Sequence, residues 1–169
     1  MLSVLIETRD DGEELARTLA SLVGAAVEGV VREVVVCDRG STDATAAVAD
    51  QAGCAFLADA DIAAGIRRAR CDWLLLLEPG ARLEGDWTAA VLDHVSKAAM
   101  PACFSRAPAH RAPFLSRLAG RPRALADGLV IAKRQAAALA RPGGDASSLA
   151  RGLAMRRLRA GIVPAPRKA

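Results

Sequence analysis

The sequence predicts an α/β fold, a Rossmann-like sandwich with a mostly parallel central sheet flanked by helices. Three observations carry this. Short runs of β-branched or leucine residues alternate with stretches of helical apolar spacing through the first hundred residues. The run Val34-Val35-Val36-Cys37-Asp38-Arg39-Gly40-Ser41-Thr42-Asp43 ends a strand in an acid, turns on a glycine, and opens a helix with Ser-Thr-Asp. A junction of that kind brings a ligand to the free N–H groups of a helix start. Finally, 169 residues with 52% hydrophobic side chains suffice for one domain with a core of its own.

The elements follow in order. Leu2–Ile6 reads as the first strand, and Glu13–Ala26 as an amphipathic helix with Leu15, Leu19, Leu22 and Val23 on one face. Glu33–Cys37 is the second strand. Ser41 or Thr42 is the expected cap of a helix carrying Ala46, Val48, Ala49 and Ala52, which Gly53 ends. Cys54–Leu57 is a short third strand, and Asp61 opens a helix to about Arg70. Trp73–Leu77 is a continuous apolar run, the mark of a strand buried on both faces. Pro79-Gly80 turns the chain, and Asp86–Lys97 is a helix. Ligands of such sheets bind at the carboxyl ends of the strands, which places Glu7–Asp11, Asp38–Ser41 and Glu78–Arg82 on one rim.

The second half is less regular. Met100–Ser105 reads as a strand, and Arg106–Arg123 as a mobile basic loop with one helical turn at Phe114–Leu118. Gly128–Ala132 is the next strand and Lys133–Ala140 a helix, followed by a break at Arg141-Pro142-Gly143-Gly144. Leu149, Leu153 and Leu158 suggest a helix over Ala146–Ala160. Ile162-Val163 is then a last short strand, and Pro164–Ala169 a frayed tail. The whole reads as a single domain in two halves, 1–100 and 101–163.

Charge separates the halves. Residues 1–100 hold nine Lys/Arg against seventeen Asp/Glu, whereas residues 101–169 hold fourteen against two, Asp127 and Asp145. A basic half attracts phosphates, anionic lipid heads or an acidic partner, or neutralises the acidic half. With no Tyr, two Trp and three Phe in the chain, base stacking on nucleic acid has little to work with. Cys37, Cys54, Cys71 and Cys103 make neither a CxxC nor a zinc spacing and read as reduced core residues. The chain opens directly into a strand, without a basic n-region or cleavage site, and no apolar run approaches the ~20 residues of a membrane span. The expectation is a cytoplasmic protein, with peripheral contact at the inner membrane face through the basic half.

Several motifs in order resemble family 2 glycosyltransferases of the GT-A fold, the nucleotide-diphospho-sugar transferases. Ser3-Val4-Leu5-Ile6-Glu7-Thr8-Arg9-Asp10-Asp11-Gly12-Glu13-Glu14-Leu15 resembles the family opening SVIIPTxNEEExL. Val34–Asp43 resembles VVVDDGSTD, and Arg70–Leu77 resembles ARGDWLLFL. Arg117-Leu118-Ala119-Gly120, Asp127-Gly128 and Lys133-Arg134 resemble a short bacterial branch with RLLGLPYGDQG…RR. Met155–Gly161 resembles LxxRLRRAG.

The resemblance implies transfer of a sugar from a nucleotide-sugar to a hydroxyl acceptor by direct displacement. Thr8, Asp10, Asp38, Arg39, Gly40 and Ser41 fall where the family holds the nucleoside. Several acids of the pattern are replaced. The opening proline is Glu7, and the second acid of the DD pair, which would face the base, is Arg39. The metal-binding D-x-D reads Glu78-Pro79-Gly80, and the acids before LxxRL read Leu149-Ala150. The leaving diphosphate needs cationic charge and the acceptor hydroxyl needs a base. Mg²⁺ or Mn²⁺ would have Glu78 and the substrate phosphates alone for ligands, so Arg67 and Arg82 are the candidates to take the diphosphate. Asp127 is the candidate base. Three readings follow: a transferase, a catalytically silent nucleotide- or partner-binding relative, and a basic adaptor to anionic membrane surface or nucleic acid.

Overall fold

The computed structural model describes residues 1–97, 99–106 and 124–166. Eight strands form one sheet: β1 Leu2–Thr8, β2 Val31–Asp38, β3 Ala55–Leu57, β4 Trp73–Leu77, β5 Arg82–Glu84, β6 Ala102–Arg106, β7 Leu129–Ala132 and β8 Arg156–Val163. The helices are α1 Gly12–Val27, α2 Thr45–Gln51, α3 Ile62–Arg68, α4 Trp87–Lys97, α5 Lys133–Leu139 and α6 Ala146–Ala150. The strand order is β3-β2-β1-β4-β7-β6-β8-β5. Four of the seven pairings are parallel; β4–β7, β6–β7 and β5–β8 are antiparallel. The sheet is therefore mixed but mostly parallel.

Period-2 alternation splits the core in two. Val4, Ile6, Val36, Leu75 and Leu77 face one layer with Leu15, Leu22 and Val91 of α1 and α4. Leu5, Val35, Leu74 and Leu76 face the other, with Ile62, Ile66, Ala136 and Leu149 of α3, α5 and α6. Each leucine buried in this way stabilises by roughly 1.5–3 kcal/mol over exposure. Alanines let the helices lie close to the sheet. The closest approach is at Gly65, where a Cβ would stand 2.3 Å from Cys37 Sγ and 3.3 Å from Leu5 Cδ2. The aromatic residues pack edge to face, Trp87 on Phe104 and Trp73 on the buried His94, whose Nε2 lies 2.9 Å from the Met100 carbonyl.

Three sequence expectations are corrected. The helix expected over Ala146–Ala160 ends at Ala150, and Arg156–Val163 is a strand. Leu158, Ala160 and Ile162 alternate inward while Arg157 and Arg159 point outward, so period 2 prevails over the helical leucine spacing. Second, α2 starts at Thr45 after Ala44, and neither Ser41 nor Thr42 caps it. Third, residues 164–166 are not frayed: Ala165 is buried in the core, and a Cβ on Gly80 would meet Pro166 Cδ at 2.9 Å. β5 was not expected from sequence at all; it is three residues long. The basic segment 107–123, with the helical turn expected at Phe114–Leu118, lies outside the described residues. Among the described residues no helix is long and apolar enough to cross a membrane.

Candidate functional site

The parallel pair β1–β2 places Thr8 beside Asp38, so the two loops that follow start side by side. Side chains stitch them together. Thr8 Oγ1 donates to Asp38 Oδ1 at 2.8 Å, and the Gly40 and Ser41 N–H groups donate to Asp38 Oδ2 at 3.0 and 2.8 Å. The Ser41 hydroxyl also donates to Asp38, while its oxygen accepts the Asp10 N–H at 2.8 Å. Asp10, at φ +52°, returns the contact by accepting the Thr42 N–H at 2.7 Å. Asp43 accepts the Gly12 N–H at 2.9 Å and the Thr45 N–H at 3.0 Å. Asp38 is only 3% exposed. Burial opposes its charge, but bonds from the Ser41 hydroxyl and N–H, the Thr8 hydroxyl and the Gly40 N–H outweigh that and hold its pKa below the usual carboxylate value.

On the α3–α6 side of the same rim lies a cleft of about 690 Å³, lined by Glu7, Arg9, Arg39, Gly143, Gly144, Asp145 and Arg151. Glu7 stands two residues after Leu5 on β1 and so points to the same side, that of α3 and α6. Its Oε1 accepts Arg39 Nε, and its Oε2 accepts the Ala146 N–H at 2.7 Å. Arg39 Nη2 donates to the Gly144 carbonyl at 2.6 Å and to that of Gly143 at 3.4 Å. Asp61 caps α3 through the Ala64 N–H and accepts the Gly143 N–H at 2.8 Å. The Gly143 and Ala64 N–H groups hold the Asp61 pKa low against its partial desolvation. Asp145 caps α6 by accepting the Ser148 N–H at 2.8 Å and is itself exposed. Three arginines and two acids thus line one cleft at the ends of β1 and β2.

Of the residues singled out from sequence, Arg39 alone lines this cleft. Thr8, Asp10, Asp38, Gly40 and Ser41 form the stitched loops beside it. Asp127 stands at the same rim, just before β7, with Oδ1 accepting Arg106 Nε at 2.6 Å and Oδ2 accepting Arg157 Nη1 at 3.3 Å. Glu78 follows β4, one strand from β1, and is half-buried. Arg82 opens the edge strand β5, with five strands between it and β2. Arg67 is exposed on α3, near enough to help hold Asp61 ionised; its neighbour Arg68 pairs with Glu33 at the other end of the strands, 3.6 Å away. Among the described residues no three His, Cys, Asp or Glu side chains gather as a metal site, so a Mg²⁺ or Mn²⁺ bound here would take most of its oxygen ligands from substrate phosphates and water. Two cysteine thiols are unsuited to reaction: burial and the Glu7 charge push Cys37 up to about 12, and burial pushes Cys54 up to about 11.

Sequence reasoning placed Glu7 and Arg9 on the rim without a role and missed Gly143, Gly144, Asp145 and Arg151 as cleft residues. Asp145 was legible in part, as an Asp three residues before Ser148 at a helix start. The motif resemblance sets the position of the base at Leu149-Ala150 instead, four and five residues further on.

No family model and no curated protein sequence matches the chain. Solved structures do. Glucosyl-3-phosphoglycerate synthase from Mycobacterium tuberculosis superposes with a TM-score of 0.68 at 14% identity, covering 100% of this chain and 73% of that one. Mannosyl-3-phosphoglycerate synthase from Rubrobacter xylanophilus gives 0.61 at 17% identity, over 80% of this chain and 54% of that one. A mannosyltransferase from Pyrobaculum calidifontis, solved with GDP-Man and Mn²⁺, gives 0.60 at 12% identity, over 79% and 45%. The chain spans about half the length of the last two. At such identities the likeness speaks to architecture, and with the sheet order and rim described above it establishes that this chain has the GT-A fold of the nucleotide-sugar glycosyltransferases.

Proposed function

We propose that the chain binds a nucleoside-diphosphate sugar in the cleft at the ends of β1 and β2 and acts as a transferase of the glycosyltransferase type. In this reading the arginines of the cleft, in place of a carboxylate-held cation, meet the diphosphate. The observation that carries it is the convergence of Arg9, Arg39 and Arg151 on one cleft at the carboxyl ends of parallel strands. Its volume, about 690 Å³, suits a small molecule. Guanidinium groups match phosphate oxygens with paired donors and stabilise the charge that grows on a leaving diphosphate. Asp145 is the exposed carboxylate of the cleft, and in this reading it takes the proton of the acceptor hydroxyl.

One observation favours a second reading, that of a silent nucleotide binder. Both oxygens of Asp127 are engaged by Arg106 and Arg157, so the acid singled out from sequence as a base is held in an ion-paired cluster.

Calorimetry with UDP, GDP, UDP-glucose and GDP-mannose, each with Mn²⁺ and with EDTA, tests the proposal. Binding is expected under both conditions, and Arg151→Ala is expected to weaken it about tenfold, ~1.4 kcal/mol. No binding of any of the four sinks the proposal. Release of nucleoside diphosphate from the bound donor with a panel of hydroxyl acceptors, lost in Asp145→Asn with binding retained, supports the transferase. Binding with no release for any acceptor supports the silent reading.

A further inference from the structure

The segment 141–146 is held onto the cleft from three other elements. Asp61, at the start of α3, accepts the Gly143 N–H at 2.8 Å. Arg39, just after β2, donates to the carbonyls of Gly143 and Gly144. Glu7, on β1, accepts the Ala146 N–H at 2.7 Å. Glu7 and Arg39 are also an ion pair, so the carboxylate grips the segment by an N–H and the guanidinium grips it by two carbonyls. The segment is itself a tight turn: the Gly144 N–H donates to the Arg141 carbonyl at 2.9 Å, and Gly143 sits at φ +72°. A Cβ on Gly144 would press on the Arg141 carbonyl at 2.9 Å. This is a short, self-ordered segment attached through three side chains, two of which, Glu7 and Arg39, pair with each other.

We propose that the Glu7–Arg39 pair is a ligand-operated latch: a diphosphate entering the cleft draws Arg39 away from Glu7 and from the Gly143 and Gly144 carbonyls, and the 141–146 segment lifts. The inference rests on the reading of the cleft as a diphosphate site. Three features of the geometry drive it. Arg39 is partly exposed, its side chain at 31%, so a ligand reaches its guanidinium without unfolding the loop. A phosphate offers that guanidinium paired charged acceptors, stronger partners than two neutral carbonyls. The carboxylates of Glu7 and Asp145 line the same cleft and repel an incoming anion. Loss of Arg39 leaves Glu7 an unpaired carboxylate facing the anion, which drives that carboxylate away, and Glu7 is tied to the Ala146 N–H, so its movement loosens the segment.

The readout is amide hydrogen exchange at Gly143 and Ala146, whose N–H groups donate to the Asp61 and Glu7 carboxylates. Pyrophosphate, with its own binding followed by calorimetry, is expected to speed exchange at both amides by about tenfold or more, as a local opening does. Arg39→Gln is expected to exchange fast at both without pyrophosphate and to gain nothing when it is added. Asp61→Asn is expected to speed Gly143 while leaving Ala146 slow in the absence of ligand. Bound pyrophosphate with unchanged or slowed exchange overturns the latch, and so does failure of pyrophosphate to bind. If pyrophosphate speeds exchange while no nucleotide-sugar binds, the latch stands and the proposed function falls. If nucleotide-sugars bind while pyrophosphate leaves exchange unchanged, the function stands and the latch falls.

Discussion

Asp38 sits at the end of β2 with both carboxylate oxygens engaged by Thr8, Gly40 and Ser41. Its position in the motif is the one that suggested a nucleoside ligand; its contacts make it the clasp that joins the first two loops. Two departures from the family pattern are likewise one feature, since Glu7, in place of the opening proline, is the partner of Arg39, in place of the second acid. The clasp has a pH signature. Hydrogen bonds hold Asp38 below its ordinary value despite burial, and Asp43 and Asp61 are held low in the same way by Thr45 and Gly12 and by Gly143 and Ala64. A carboxylate with a lowered folded pKa contributes stability that is fully present above its unfolded value, about 3.9, and is lost as pH falls through the lower folded value. Thermal melts are therefore expected to fall steeply below about pH 4. Asp38→Asn, which leaves buried donors poorly matched, is expected to cost about 1–3 kcal/mol at neutral pH and to flatten that fall. A variant with the same acid profile as the native protein would show that the clasp is not what acid breaks.

At the scale of elements, β8 is where sequence and structure part most sharply. Leu149, Leu153 and Leu158 have a spacing close to helical, and the intervening alanines and arginines favour a helix. The strand signal was nonetheless present in Arg157-Leu158-Arg159-Ala160-Gly161-Ile162, and the structure buries Leu158, Ala160 and Ile162 of this run in the core, with β8 packed against β6 and α4. Pairing with β6 and β5 supplies what local propensity does not. β8 also bulges, since Leu158–Ala160 stand opposite the single residue Phe104, and the Ser105 hydroxyl donates to the Leu158 carbonyl at 2.8 Å. Ile162→Asp is expected to destabilise the protein by several kcal/mol, about 3 or more, through an unpaired buried charge. Arg159→Glu on the outer face is expected to stay within about 0.5 kcal/mol. Urea denaturation of the two variants distinguishes a strand from a helix, because equal costs would contradict period-2 burial. In the first half, strand and helix were legible because the apolar runs are short, separate and bounded by Gly53, Pro79-Gly80 and an Asp61 that does cap its helix. The candidate site was legible only as a rim. Sequence placed Asp38, Arg39 and Ser41 on it, but the cleft depends on a segment over a hundred residues away folding back onto Arg39, which no local pattern encodes.

For the whole molecule, sheet order converts the charge asymmetry of the sequence into a spatial one. The acidic first half builds β3, β2, β1 and β4, and the basic second half builds β7, β6 and β8 next to them. Between residues 124 and 163 stand seven Lys/Arg and only Asp127 and Asp145, and Asp127 is shared by two arginines. Exposed Arg134, Arg141, Arg151, Arg156 and Arg159 thus give this side of the sheet a positive field that the overall charge of +4 understates. Such a field acts over the Debye length, about 10 Å at 0.1 M salt and 30 Å at 0.01 M. Each exposed cation near an anionic bilayer contributes about 1 kcal/mol, so a handful suffices for attachment when screening is weak. Among the described residues no apolar helix is long enough to span the bilayer and take over when the field is screened. Sedimentation with phosphatidylserine-containing vesicles is therefore expected to show attachment at about 0.01 M salt that is lost by about 0.15 M, and none to purely zwitterionic vesicles at either. Attachment that survives at the higher salt would give the basic half a membrane role of its own. Absence of attachment at the lower salt would mean that the acidic edge of the same sheet cancels the field before a surface can feel it.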